Sequence, residues 1–154
     1  MACEFLYNPI QEVALNAPIL FDTSIPCNRG NVYHEGDTGN FILRGANTNN
    51  SCNCFAQYQV TFNGNIAIPE GGTVVPIAVA IAVNGEPRLT SRAIFTPAAA
   101  EEFGNITSTA IIKVPRCCCF SLSVDAVPAT TDPTVVPAPV IEEQNANLTI
   151  TRIA

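Results

Sequence analysis

The sequence predicts an all-β chain folded as an antiparallel sandwich of two sheets. Short segments of period-2 alternation follow one another to the last residue, as in Phe55 to Ile68 and Leu148 to Ala154. Gly, Pro and Asn punctuate these segments at hairpin spacing. Only Pro97-Ala-Ala-Ala-Glu-Glu-Phe103 offers helix-start chemistry, with Pro first and acidic residues in the first turn, and it soon meets Gly104. No strand–helix–strand alternation is present, which excludes a parallel sheet.

Taken in order, Glu12 to Asn16 and Ile19 to Asp22 read as short strands parted by Ala17-Pro18. Asn31 to His34 and Asn40 to Arg44 form a hairpin around Glu35-Gly-Asp-Thr-Gly39. Asn47 to Asn53 is a polar loop. Phe55 to Ile68 alternates as a half-buried strand, with a bulge expected at Gly64. Val74 to Val83 is apolar on both faces and needs cover on both sides, the core on one and a neighbouring copy on the other. Asn84-Gly85 is a two-residue hairpin signal, and Arg88 to Phe95 returns from it. Asn105 to Val114 and Cys119 to Val127 pair around Pro115-Arg116. Pro128 to Pro139 is a Pro- and Thr-rich loop. Val140 to Ala154 ends in a strand that resists fraying if it sits inside a sheet. About eight to ten strands without a repeat period point to a jelly roll. The expected organisation is an N-terminal arm over residues 1–12 and a single jelly-roll domain over residues 13–154.

Composition narrows the function. The chain has 154 residues, 47% of them hydrophobic and 13% charged. A soluble domain usually carries roughly a quarter charged residues, so part of this surface is expected to be buried against other copies or a partner. Net charge is −6, with Lys113 and the arginines scattered, which argues against a phosphate backbone as partner. No apolar run reaches membrane-spanning length. The start, Met1-Ala-Cys3-Glu-Phe5, lacks the basic and apolar regions of a Sec signal.

Catalytic signatures are missing. His34 is the single histidine and lies beside a hairpin. No Gly-x-Ser-x-Gly elbow is present. Glu101-Glu102 and Glu142-Glu143 read as solvated carboxylates. Asp37 and Asp132 lack a calcium-loop pattern. No cofactor is expected. The sequons Asn49-Asn-Ser51, Asn105-Ile-Thr107 and Asn147-Leu-Thr149 arise readily in a chain rich in Asn and Thr.

The seven cysteines are Cys3, Cys27, Cys52, Cys54, Cys117, Cys118 and Cys119, an odd number that leaves one thiol over or pairs it between chains. Cys-x-Cys and Cys-Cys-Cys match zinc knuckles poorly, because a strand turns Cys117 and Cys119 to one face and Cys118 to the other. Two readings stand. In one, the Cys52/Cys54 loop and the Cys117–Cys119 hairpin end meet in disulfides at one end of the sandwich, while Cys3 bonds a neighbouring subunit. In the other, several are reduced and buried as small hydrophobes.

Asn28-x-Gly30-x-x-Tyr33, Thr38-Gly39-x-Phe41 and Tyr58-x-Val60-x-Phe62, in that order, resemble the opening strands of the C1q/tumour-necrosis-factor-like jelly roll. Val79-x-Ile81-x-Val83-Asn84-Gly85 fits a strand and hairpin of that fold. Leu148-Thr-Ile-Thr-Arg-Ile-Ala154 resembles the last strand of bacterial and phage versions, such as the tip domains of exosporium collagen-like proteins and phage fibre or decoration proteins. The resemblance implies a homotrimer with apolar strands on its threefold axis, and a structural or adhesive role. The chain departs from the pattern in lacking a Gly-X-Y stalk and in its cysteine clusters, which are not a family hallmark.

The sequence therefore leads to a non-enzymatic, self-assembling surface protein on a phage virion (head fibre, decoration or tail-fibre component) or on a bacterial spore or cell. Its partners would be further copies of itself and other virion or spore-surface proteins, with no nucleic acid and no membrane insertion. Val75, Ile77, Val79, Ile81 and Val83 are the candidate subunit interface. Two alternatives remain: a disulfide-cross-linked subunit of an extracellular filament, and a carbohydrate- or receptor-binding module that uses the Asn47–Asn53 and Pro128–Pro139 loops.

Overall fold

A computed structural model describes residues 2–26, 30–46 and 54–154. Expectations for Cys27, Cys52, the loop 47–53 and the first sequon lie outside the described residues. In chain order the strands are β1 (Ala2–Tyr7), β2 (Gln11–Ala14), β3 (Thr23–Ile25), β4 (Val32–His34), β5 (Phe41–Arg44) and β6 (Phe55–Ala67). There follow β7 (Ile77–Val83), β8 (Glu86–Pro87), β9 (Ala93–Phe95), β10 (Gly104–Pro115), β11 (Cys119–Pro128) and β12 (Val140–Arg152). One sheet runs β10-β6-β12-β1-β3, with β2 also on β12; the second runs β4-β5-β11-β7-β8, with β9 also on β7. Among the described residues every strand pairing is antiparallel. This is the two-sheet jelly-roll sandwich that the alternation and turn chemistry predict.

Period-2 patterning builds the core. Tyr58, Val60 and Phe62 of β6 and Leu148 and Ile150 of β12 point inward, and so do Leu122 and Val124 of β11; all are essentially inaccessible. At one end, the Phe41 ring meets Phe5 at 4.6 Å and Phe21 at 5.6 Å, both edge-on. The buried Tyr58 hydroxyl donates to the carbonyl of Arg44 at 2.5 Å, satisfying its polar tip. Asn84 and Gly85, with φ of 53° and 81°, form the expected tight turn between β7 and β8.

Several expectations are corrected. Residues 1–12 do not form an arm: β1 lies between β12 and β3, in register from Ala2↔Thr151 to Tyr7↔Ala146. Its inward Cys3 and Phe5 supply the apolar face that keeps it there. Ile19 to Asp22 is not a strand but a crossing between sheets. Its backbone donors go to four places: Ile19 to Val124, Leu20 to the Gln11 side chain, Phe21 to Thr38 and Asp22 to Leu6. At residues 98–101 the helix-start chemistry yields only a bend and a turn, with Glu101 at φ of 63° and its N–H donating to Ile68. The bulge is not at Gly64. It sits opposite, in β12, where Asn145 and Ala146 face one residue of β6 between Gln144↔Asn65 and Asn147↔Asn63.

β7 is covered on both faces by its own chain. Ile77, Val79 and Ile81 belong to the main core, with Val75 and Val83 packed against it. The alternate residues Ala78 and Ala80 join Val127 and Ala129 in a second small buried cluster. The five residues expected at a subunit interface are therefore inward-facing. Alanines satisfy the outer face because they present little apolar area that needs an outside partner.

Ile81→Ala should accordingly lower unfolding stability by about 2–5 kcal/mol, as expected for an emptied core site, without changing the native mass. Urea unfolding read alongside light scattering checks this. A changed mass with near-wild-type unfolding would return Ile81 to an interface.

Candidate assembly face and cysteine pole

The outward face of the first sheet is the most distinctive surface. Its central outward positions include Gln59, Thr61, Asn63 and Asn65 on β6, Asn105, Thr107, Thr109 and Ile111 on β10, and Asn147, Thr149 and Thr151 on β12. These are uncharged, and the charged outward residues Lys113 of β10, Glu142 of β12, Glu4 of β1 and Glu12 of β2 lie around them. The side chains bond across strands: Thr61 and Thr109 hydroxyls lie 3.4 Å apart, and Asn105 Nδ2 donates to Asn63 Oδ1 at 2.8 Å and to Asn65 Oδ1 at 3.1 Å. Further along the face, Asn147 Nδ2 donates to Glu4 Oε1 at 2.6 Å and Thr149 Oγ1 to Asn147 Oδ1 at 3.3 Å. Two of the sequons fall on this lattice, with Asn105 engaged near the start of β10 and Asn147 within β12. Toward the start of β6 the face becomes apolar, through Phe55, Ile111 (53% exposed) and Ile153 (46% exposed). Lys113 covers the Phe55 ring, its Nζ 4.8 Å from the centroid.

Glu143, expected to be solvated, is fully buried in the same sheet. It pairs in register with Gln11 of β2, whose Nε2 donates to Glu143 Oε2 at 3.4 Å. The same Gln11 amide holds Leu20 like a strand partner, donating to its carbonyl at 3.1 Å and accepting from its N–H at 2.9 Å. Glu143 Oε1 has no hydrogen-bond partner. It occupies the space a side chain on Gly64 would need, since a Cβ there would lie 2.3 Å from it. Among the described residues no cation compensates the carboxylate, so burial pushes its pKa up to about 8, opposed by the Gln11 hydrogen bond. Burial also raises Asp125, despite a bond from Ser123, and raises Glu142, which Glu101, Glu12 and Glu70 push further.

These shifts share one sign. The folded chain holds the Glu143 proton more tightly than the unfolded chain, whose ordinary value is 4.5. The protonated acid's contribution is fully present below that value and is lost as pH rises through about 8. Stability should therefore fall steadily across that interval. Glu143→Gln should flatten the slope and raise stability at pH 8 by roughly 1–3 kcal/mol, measured by urea unfolding across pH. Parallel pH profiles for the two proteins would contradict this.

The cysteines separate by environment. Cys3 is buried in β1, facing the core, and its sulphur is held in a disulfide. Cys54 and the triplet meet at one end of the sandwich, where the Arg116 N–H donates to the Cys54 carbonyl at 2.9 Å. Cys117 and Cys118, on the turn from β10 to β11, and Cys119, the first residue of β11, are free and exposed. Among the described residues, no group of three or more His, Cys, Asp or Glu side chains is disposed to hold a metal ion.

The His34 ring stacks on Phe41 at 4.5 Å, meets Phe5 edge-on at 5.2 Å and has Nε2 2.9 Å from the Thr38 carbonyl. It is a packing residue of the β4–β5 hairpin. Asp132 caps its own loop, accepting from Thr134 N–H at 2.9 Å and Thr134 Oγ1 at 2.7 Å, and these bonds lower its pKa.

No protein-family model and no curated protein matches the chain. Solved structures do. The fold is similar to the globular domain of the zebrafish complement 1qA protein, with a TM-score of 0.60 at 11% identity, covering 99% of this chain and 97% of that one. It is also similar to the Eiger TNF of S. frugiperda, with a TM-score of 0.63 at 12% identity, covering 100% of this chain and 92% of that one. The likeness extends over the whole sandwich, and the chain has the C1q/TNF-like jelly-roll fold.

Proposed function

We propose that this chain is a non-enzymatic structural protein that self-assembles as a homotrimer through the outward face of its first sheet, on the exterior of a phage virion or a bacterial spore. The observation that carries the proposal is the uncharged Asn/Thr lattice flanked by exposed Phe55, Ile111 and Ile153. Depletion of charged residues is characteristic of the buried centre of protein–protein interfaces. Here the lattice bonds within itself, so a second copy can cover it while few charges are desolvated. The packing of His34, the chain's single histidine, against Phe5 and Phe41 supports a role without catalysis. The resemblance of Leu148–Ala154 to the last strand of bacterial and phage versions supports the virion or spore setting.

In reductant, light scattering should give about three times the chain mass of 16.3 kDa. Thr61→Glu, at the centre of the lattice, should give a folded monomer, because three like charges would meet near the axis. A wild-type monomer, or a Thr61→Glu trimer, would overturn the assignment of this face.

A further inference from the structure

We propose that the Cys117–Cys119 turn is a covalent linking site, with Cys118 forming a disulfide to the same turn of a second copy. The inference rests on the assembly reading in one respect: copies meeting on the outward face of the first sheet bring their β10–β11 turns together. Pro115 of β10 pairs with Phe55 of β6 at the apolar end of that face, and the triplet follows after Arg116.

Exposure is the first argument. Cysteine is among the most buried residue types, yet three consecutive cysteines here are free and exposed, two on the turn and Cys119 at the start of β11. They contribute nothing to the core, so packing does not account for them.

Rigidity is the second. The Cys118 N–H donates to the Pro115 carbonyl at 3.1 Å, and the Cys118 carbonyl accepts from Gly45 at 2.8 Å. Gly45 permits this clamp, since a Cβ there would lie 1.9 Å from the Pro115 oxygen. Cys117 takes φ of 62°, which turns the chain sharply into β11. The thiols are therefore presented from a fixed turn. They line a depression of about 270 Å³ with Arg44 and Ala46, open to an incoming sulphur.

Pairing is the third. Neighbouring Cα atoms are about 3.8 Å apart, short of the roughly 4.4–6.8 Å that a disulfide normally spans. Cys118 is thus poorly placed to bond Cys117 or Cys119, and a bond between those two would still leave it over.

The chemistry closes with a low-molecular-weight disulfide, R–S–S–R, as oxidant. The Cys118 thiol loses its proton, and its sulphur attacks one R sulphur, forming protein–S–S–R and expelling R–S⁻, which takes up a proton. A thiolate on the second copy then attacks the protein sulphur of the mixed disulfide, forming the Cys–S–S–Cys bond and expelling the second R–S⁻. Two protein thiols are oxidised and one R–S–S–R is reduced to two R–SH.

The test uses the full chain, purified in reductant and then transferred to glutathione disulfide. Native mass in reductant reads the assembly. Non-reducing denaturing electrophoresis and peptide mapping read the link. The wild type should give covalent dimers and larger species that collapse on reduction and map to Cys118. Cys118→Ser should reduce them at least tenfold, and Cys117→Ser/Cys118→Ser/Cys119→Ser should abolish them, each keeping the wild-type mass in reductant. Oxidised wild type of single-chain mass, carrying only glutathione adducts or internal bonds, would overturn the proposal, as would covalent species that survive in the triple variant. A monomer in reductant that still gives Cys118-linked dimers on oxidation would sink the sheet-face reading and keep the link.

Discussion

The fold depends on the position of β12. The last strand does not close an edge; it runs between β6 and β1, pairing Leu148 with Phe62 on one side and with Phe5 on the other. That placement joins the two ends of the chain and buries Leu148 and Ile150 completely. It also requires contacts between the most distant parts of the sequence, which cannot form until nearly all of the chain is available. β1 is held by the same arrangement. An isolated N-terminal segment would fray, but this one has a strand on each side.

The course of β12 also explains the buried acid. Ile141 and Glu143 face inward in the first half of the strand, and Ala146, Leu148 and Ile150 face inward in the second. The interval from 143 to 146 is odd, so a strict two-residue period cannot serve both halves. The bulge at Asn145 and Ala146 resolves the conflict, and Asn145 takes φ of 58° to do so. Glu143 is thereby fixed on the inside, against Gly64 and Gln11. The outward side of the same strand supplies Asn147, Thr149 and Thr151 to the uncharged lattice. One strand thus carries the core, the titrating group and part of the proposed assembly face.

Much of this was legible in the sequence. The alternation of β6, the Asn84-Gly85 turn, the β4–β5 hairpin and the final strand follow from local periodicity and turn chemistry. The faces of β7 were misassigned, although the large-and-small alternation of Ile77-Ala-Val79-Ala-Ile81-Ala distinguishes the core side from the outer side. A similar signal lay in Val140 to Ile150, where the apolar phase slips between Ile141 and Leu148 and marks both the bulge and the inward Glu143. The position of β1 was not legible, because a six-residue strand gives no sign of which distant strand will pair with it. The proposed assembly face escaped notice because Asn and Thr read as ordinary surface. Their meaning comes from the register that sets Asn63, Asn65 and Asn105 side by side.

The most direct test of the central claim is side-chain footprinting of the intact wild-type protein at two isoleucines. Ile111, on the outward face of the first sheet, and Ile94, on the outer side of the second, are 53% and 50% exposed in the single chain. They should label alike in any monomer. If copies associate through the first sheet, Ile111 will be protected and Ile94 will label freely. Equal labelling of the two, or protection of Ile94 alone, would contradict the account.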